Sequence, residues 1–410
     1  MSQPSPYVLT RAEKMIVDLL SQHGALSRTE LAWHTGYSRA KIGAAVQSLM
    51  ERRILEEVGD DESRGGRRAR LLNFSPNIGY IFGIDVGATS VDIALSDFTG
   101  RILSRFDTPA DVRDGPDLLL GMIKDQMLAM LQSTGLTPDQ IRGIGIGVPG
   151  PVEFSTGLLI APPIMPGWEA FPIREYFNRF FPQAIVIVDN DVNVMALGEL
   201  RRGKNINAQN FIFIKIGTGI GCGIVCQGKI YRGSSGCAGD VGHICVDYNG
   251  PICHCGNRGC VEAMAAGPAI AAKAMQAAQE GRSPILQQLM ESNNGILTAK
   301  DVGIAAARGD RVSIGLIQES GKLIGEMLAG VVNFFNPSLI LIGGGVSNIG
   351  YQLLSSIRQA VLARSLPLST RDLRIEYNSL RGEAGIYGAI YLALEHIFTT
   401  LATPGIEEED

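Results

Sequence analysis

Three cysteines, Cys253, Cys255 and Cys260, share one Gly-rich loop that begins ten residues after His243. Thiolate and imidazole are the ligands a structural zinc ion prefers, and three sulfurs with one ring nitrogen complete a tetrahedral set. The spacing H-x9-C-x-C-x4-C departs from the common C-x2-C pattern, so a second reading stands beside it: reduced cysteines packed as small hydrophobes. His254, between two of the cysteines, is a second candidate imidazole, and His243 is preferred. All seven cysteines fall between Cys222 and Cys260. In a chain whose N-terminus lacks an apolar leader core, such crowding fits metal binding better than disulfides. Two carboxylates bracket the loop, Asp240 and Glu262. A metal that fixes one nitrogen of His243 leaves the other to donate to a ligand, and the carboxylates can accept from hydroxyls. Metal and carboxylates together describe a polyol or sugar pocket in which the metal organises and does no chemistry.

The order Gly239-Asp240-Val241-Gly242-His243, then Cys253-His254-Cys255-Gly256-Asn257-Arg258-Gly259-Cys260-Val261-Glu262, resembles the signature of the ROK family of repressors and sugar kinases. The resemblance implies that His243, Cys253, Cys255 and Cys260 bind zinc and that Asp240, His243 and Glu262 touch sugar hydroxyls. Asp240 stands where the family usually has Glu. Further upstream, Asp189-Asn190-Asp191-Val192-Asn193 follows an apolar strand and opens a helix. One reading of this cluster is a polar helix cap; another is a carboxylate at a strand's C-terminal end, where α/β folds bind ligands. Apart from Asp189, the cluster is similar to E-N-D-x-N of ROK kinases. That likeness implies a sugar contact for Asn190 and, if the chain is a kinase, a general base in Asp191. Ile164 stands where those kinases carry an Asn.

Three Gly turns must be positioned around such a cleft. Asp85-Val86-Gly87-Ala88-Thr89 ends a strand read over 80–86, and Gly217-Thr218-Gly219 begins a Gly-rich run to Gly223 after a strand read over 211–216. Gly343-Gly344-Gly345 follows the apolar run 339–342. Backbone N–H groups in such turns, with a hydroxyl and a nearby Asp, suit phosphate and magnesium. The trio resembles the two phosphate loops and the adenosine loop of actin-like sugar kinases, which implies nucleotide contacts for Asp85, Gly87, Thr89, Gly217, Thr218, Gly219, Gly344 and Gly345. Ala88 and Ser90 stand where most ROK kinases have Gly and Lys.

The first 77 residues read as a separate unit. Thr10 begins a helix ending near Gly24. Ser27-Arg28-Thr29-Glu30 is a capping box for a second helix, broken at Gly36, and Ser38 caps a third that runs to about residue 53. Two strand-like runs follow, 54–58 and 69–74, joined by a Gly-rich tip. Helix, short turn and helix followed by a hairpin is a winged helix-turn-helix. Ser38, Arg39 and Lys41 on the third helix, with Arg64, Arg67 and Arg68 on the tip, are the types that meet base edges and phosphates. The competing reading is a helical protein-docking module with a solvated loop. Formal charge agrees with DNA only here: residues 1–77 carry a net +2, the remainder −7.

The chain of 410 residues is 45% hydrophobic and holds no apolar run long enough for a membrane span. We therefore expect a cytoplasmic α/β protein: a winged helix-turn-helix at 1–77, then a two-lobed actin-like, ribonuclease H-like fold. Its first lobe is expected at 78–195 plus 382–402, and its second at 196–381 with the zinc loop and an oligomerisation surface. Alanine-rich helices are expected at 268–279, 298–308 and 311–332, then at 352–362 and 384–395. The acidic tail 405–410 reads as disordered. The functional expectation is a sugar-responsive regulator, preferably a repressor, that binds operator DNA as a homodimer or homotetramer and is released by a sugar or sugar phosphate. The alternative is an ATP- and Mg2+-dependent sugar kinase that carries a DNA-binding unit.

Overall fold

The computed structural model describes residues 8–60, 70–204 and 208–400. The hairpin tip with Arg64, Arg67 and Arg68, and the tail 405–410, lie outside them.

Three helices, Arg11–His23, Arg28–Thr35 and Arg39–Glu51, open the chain. The first two begin in capping boxes, Thr10 with Glu13 and Ser27 with Glu30, which satisfy otherwise orphaned backbone N–H groups. Gly36 ends the second helix in the left-handed conformation at φ 70°, and the Ser38 side chain accepts from Lys41 N to start the third. The three share a dry centre of Ile16, Leu31, Ile42, Val46 and Leu49. A three-stranded antiparallel sheet follows, with Arg70–Phe74 between Leu26–Ser27 and Leu55–Asp60.

Two five-stranded sheets form the rest of the frame. In the first, the order is Ile185–Asn190, Ile141–Val148, Tyr80–Val86, Ser90–Ser96 and Ile102–Pro109. In the second it is Lys229–Tyr231, Ile220–Cys226, Phe211–Ile216, Leu339–Gly343 and Arg374–Tyr377. Each mixes parallel and antiparallel pairs in the same sense, with a parallel core at one end and hairpins at the other. The expected similarity between the two strand–turn–strand units is therefore present in topology. One reading changes: Ile220–Gly223 belong to the strand rather than the turn. Gly221 and Gly223 are there because the helix Asp191–Arg202 crosses them; a Cβ on Gly223 would lie 2.6 Å from Val192 O.

The two faces of the first sheet explain its composition. Ile84, Val86, Ile144, Ile146, Val186 and Val188 point into one core. The opposite face carries Gly83, Gly143, Gly145 and Gly147, and on it lies the closing helix Ala384–Ile397. A Cβ on Gly145 would lie 1.9 Å from Ala389 O, so this helix sits flush on backbone. It also crosses Asp191–Arg202, where Gly388 and Gly198 allow backbone contact. The expected lobe boundary at 195 falls inside that helix, which packs on the closing helix and on the second sheet alike.

The N-terminal unit is joined to this body at the chain's far end. Val8–Leu9 pairs in parallel with Thr399–Thr400, and Phe74 stacks on Phe398 at 6.0 Å, with Phe98 edge-on to Phe398 at 5.9 Å. The helices read at 268–279, 298–308 and 311–332 form as Gly267–Gln279, Ala299–Ala307 and Arg311–Phe335. Among the described residues no helix is long and apolar enough to cross a membrane.

Candidate functional site

The strand register assembles the site. Asp85, Gly147 and Asp189 are direct neighbours across three parallel strands of the first sheet, on its helix-covered face. Both carboxylates emerge at C-terminal strand ends, next to the start of Asp191–Arg202, the position at which α/β sheets bind ligands.

Each acid meets a different environment. Asp189 is buried and accepts from Arg232, at 2.9 Å from Nε and 2.7 Å from Nη2, while its other oxygen takes Asn190 N and Asn193 Nδ2. Arg232 stacks 3.8 Å over the Phe154 ring. Asp191 is buried and paired with Lys215 of the second sheet. Asp85 has an enclosed Oδ1 without a hydrogen-bond partner, and Gly385 presses backbone against its carboxylate. Burial pushes its pKa up to about 7; Lys215 opposes that rise, while Asp191 and Asp92 add to it.

Asn190 is first of all a cap. Its Oδ1 accepts from Val192 N and Asn193 N, and its Nδ2 donates to Gly150 O at 2.9 Å. The cap reading of the Asp189–Asn193 cluster therefore accounts for this side chain, and a sugar would meet only its remaining N–H.

The Cys/His quartet comes together. His243 Nδ1 lies 3.6 Å from Cys253 Sγ, Cys255 Sγ lies 3.7 Å from Cys260 Sγ, and all four ligand atoms fall within 4.8 Å of one another. Zinc–sulfur bonds of ~2.3 Å require neighbouring sulfurs ~3.8 Å apart in a tetrahedron, so this donor set fits and could hold a metal ion. The loop holds its shape through glycine. Gly259, at φ 69°, would place a Cβ 1.6 Å from Asp247 O. His254 is not one of the four. Burial pushes Cys260 up to about 12, so binding would release a proton, as thiolate ligation requires. Cys222 is raised to about 12 by burial alone and is the one cysteine outside the quartet that behaves as a buried apolar group.

His243 Nε2 faces away from the quartet, 3.8 Å from Asp240 Oδ1. Glu262 has another duty: its Oε2 accepts from Ile220 N at 3.0 Å, tying the metal loop to the Gly217–Gly219 turn.

The Gly turns divide. Gly344 packs directly on Ile216, and Gly267 N donates to Gly217 O, so the second and third turns are adjacent. Several amides expected for phosphate are spent internally: Gly87 N donates to Ser90 O, Gly217 N to Gly219 O, and Ile220 N to Glu262. With Lys215 lodged between the acids as well, the cleft does not fit a magnesium–nucleotide complex.

On the third helix Ser38, Arg39 and Lys41 are exposed on one face with Ala40 and Ala44. Lys41 Nζ lies 3.8 Å over the Tyr37 ring. Sequence reasoning passed over Trp33, 78% exposed on the second helix and edge-on to His34. It also passed over Lys215 and Arg232. Lys215 had one signal, a lone charge in the apolar strand FIFIKI; Arg232 had none.

Residues 81–396 match the profile of the ROK family. A xylose repressor of Caldicellulosiruptor bescii is 30% identical over 387 residues, covering 94% of this chain and 96% of that protein. A glucokinase of Halalkalibacterium halodurans is 35% identical over 314 residues, covering 76% and 94%. The crystal structure of a ROK family transcriptional regulator, homologous to the E. coli MLC protein, superposes with a TM-score of 0.79 at 28% identity, covering 93% of this chain and 96% of that one.

Proposed function

This chain belongs to the ROK family, and from that premise we propose that it is a sugar-responsive transcriptional repressor. The N-terminal three helices and sheet act as a winged helix-turn-helix on operator DNA, and the two sheets as actin-like lobes around a sugar cleft. The observation that carries this reading is the third helix, which offers Ser38, Arg39 and Lys41 on an exposed face beside small alanines, on a unit fastened to the lobes. The family profile begins at residue 81, yet the xylose repressor matches across nearly the whole chain.

The mechanism follows from geometry. Zinc held by His243, Cys253, Cys255 and Cys260 is structural; when bound it fixes the loop and leaves His243 Nε2 to face the cleft. His243 donates to one sugar hydroxyl, Asp240 and Asp191 accept from others, and the free N–H of Asn190 adds a contact. Glu262 supports from behind by fixing the Gly217–Gly219 turn. A sugar drawing on residues of both lobes shifts the angle between them, and the closing helix carries that shift to Phe398 and Phe74 beside the DNA-binding unit. Operator binding by a two-fold oligomer amplifies such a change, because half-site spacing is fixed.

The second reading, an ATP-dependent sugar kinase carrying a DNA-binding unit, is favoured by Asp191 at its strand end and by the glucokinase relative. Asp191→Asn separates the two. A sensor keeps sugar-induced operator release within about tenfold, or ~1.4 kcal/mol. A kinase loses its turnover by ~10²–10⁴, and its response to free sugar with it. ADP release with a sugar panel and operator gel shifts read both arms; turnover at several per second in wild type would make the kinase reading the correct one.

A further inference from the structure

Lys215 leaves the strand Phe211–Ile216 and runs beneath the second Gly turn, its Cε 3.8 Å from where a side chain on Gly217 would begin. Its ammonium crosses the cleft to Asp191 Oδ2. Asp85, two strands away across Gly147, feels the same ammonium and the Asp191 carboxylate. Two carboxylates in one buried site call for a nearby positive charge, and this ammonium opposes the rise that burial causes in Asp85. Divalent ions commonly supply that charge between clustered acids. Here the chain supplies it, from a strand face that otherwise carries the buried Phe211 and Phe213.

We propose that Lys215 is a built-in cation that takes the place of a divalent metal between Asp85 and Asp191, so that the cleft recognises a polyol with neither magnesium nor nucleotide bound. The inference rests on the sugar-responsive reading and deepens it. Magnesium demands near-ideal oxygen geometry at ~2.0–2.1 Å and would have to take Asp191 from an ammonium already in place. With Oδ2 held by Lys215, Asp191 has Oδ1 left to accept from a ligand hydroxyl. The ion pair also spans the two lobes, so the cation that replaces the metal keeps the cleft assembled before sugar arrives.

The test is a titration of the full-length, zinc-loaded protein with Mn2+, read by loss of the free-ion paramagnetic signal. Wild type and Asp85→Asn should take up Mn2+ equally, with no site that depends on Asp85. Lys215→Met, of similar length but uncharged, should gain one site about tenfold tighter or more, and adding Asp85→Asn should remove it. Sugar affinity of the wild type should be the same with and without magnesium and a non-hydrolysable ATP analogue. Mn2+ uptake by wild type that Asp85→Asn abolishes overturns the proposal, as does a folded Lys215→Met variant without the new site. Should Lys215→Met fail to fold, the comparison of wild type with Asp85→Asn decides alone. Neither measurement involves DNA: sugar-induced operator release can fail while the cation assignment stands, and the reverse.

Discussion

Arg232 donates its Nε–H to Asp189 and pairs with the same oxygen through Nη2, joining the edge of the second sheet to a buried strand end of the first. Arg232 also stands at the root of the loop leading to Asp240, its carbonyl accepting from Ala238 N. It lines a cavity of about 370 Å³ with Lys14 and Asp18 of the first helix and with Glu395 and His396 of the closing helix. One residue thus links the Asp189 strand end, the loop leading to Asp240 and the border of the N-terminal unit.

Removing that guanidinium leaves a buried carboxylate uncompensated. Arg232→Ala should cost about 3 kcal/mol in urea unfolding, with Asp189→Asn restoring part of the loss. The double variant should still bind operator but respond weakly to sugar. Simple additivity of the two changes would show that the pair carries no coupling.

The proton on Asp85 makes stability fall as pH rises. Its carboxyl is raised from 3.8 to about 7 by burial, so between those values the folded form holds a proton that the unfolded chain has lost. Stability from this group is greatest near the acid end of that window, declines through it, and is level above. Asp85→Asn should remove the slope and be more stable than wild type near pH 8, by up to about 4 kcal/mol. Parallel stability–pH curves for the two proteins would refute the assignment.

Cys255→Ser should release the metal and loosen the loop around Gly259, and sugar binding should fall below detection while operator binding persists. Metal analysis of wild type purified without chelator is the first check, and zinc near one equivalent is expected. An apo protein that still binds sugar would remove the metal from the account.

Two DNA variants should behave differently. Arg39→Ala should relax discrimination among operator bases, by about 1–3 kcal/mol at one position. Arg67→Ala with Arg68→Ala, outside the described residues, should weaken binding to all sequences and flatten its salt dependence. Unchanged affinity in both would favour the docking-module reading of the N-terminal unit.

The parts of this molecule legible in sequence are those written locally. Capping boxes at Thr10 and Ser27, the Cys253–Cys260 loop and the Gly turns depend on neighbours a few residues away, and each stands close to where its spacing put it. Lys215–Asp191 and Arg232–Asp189 bring together residues from opposite sheets, and nothing short-range announces them. The helices Pro116–Thr134 and Pro284–Ser292 carry no motif, and only the structure places them. Nothing in sequence says why Gly143 and Gly145 are glycine; in the sheet they are the absence of side chains under a helix written about 240 residues later.

The pairing of Val8 with Thr399 also sets an order of events during synthesis. At ~5–20 residues per second the ribosome takes roughly 20 to 80 s to travel between those two positions. For that interval the N-terminal unit stands on its own core, with Leu9 and Phe74 still lacking their partners from the chain's last residues. Its docking onto the lobes is therefore among the last steps of assembly. A nascent chain emerging near its own operator would hold a DNA-binding surface well before it possessed the means to let go.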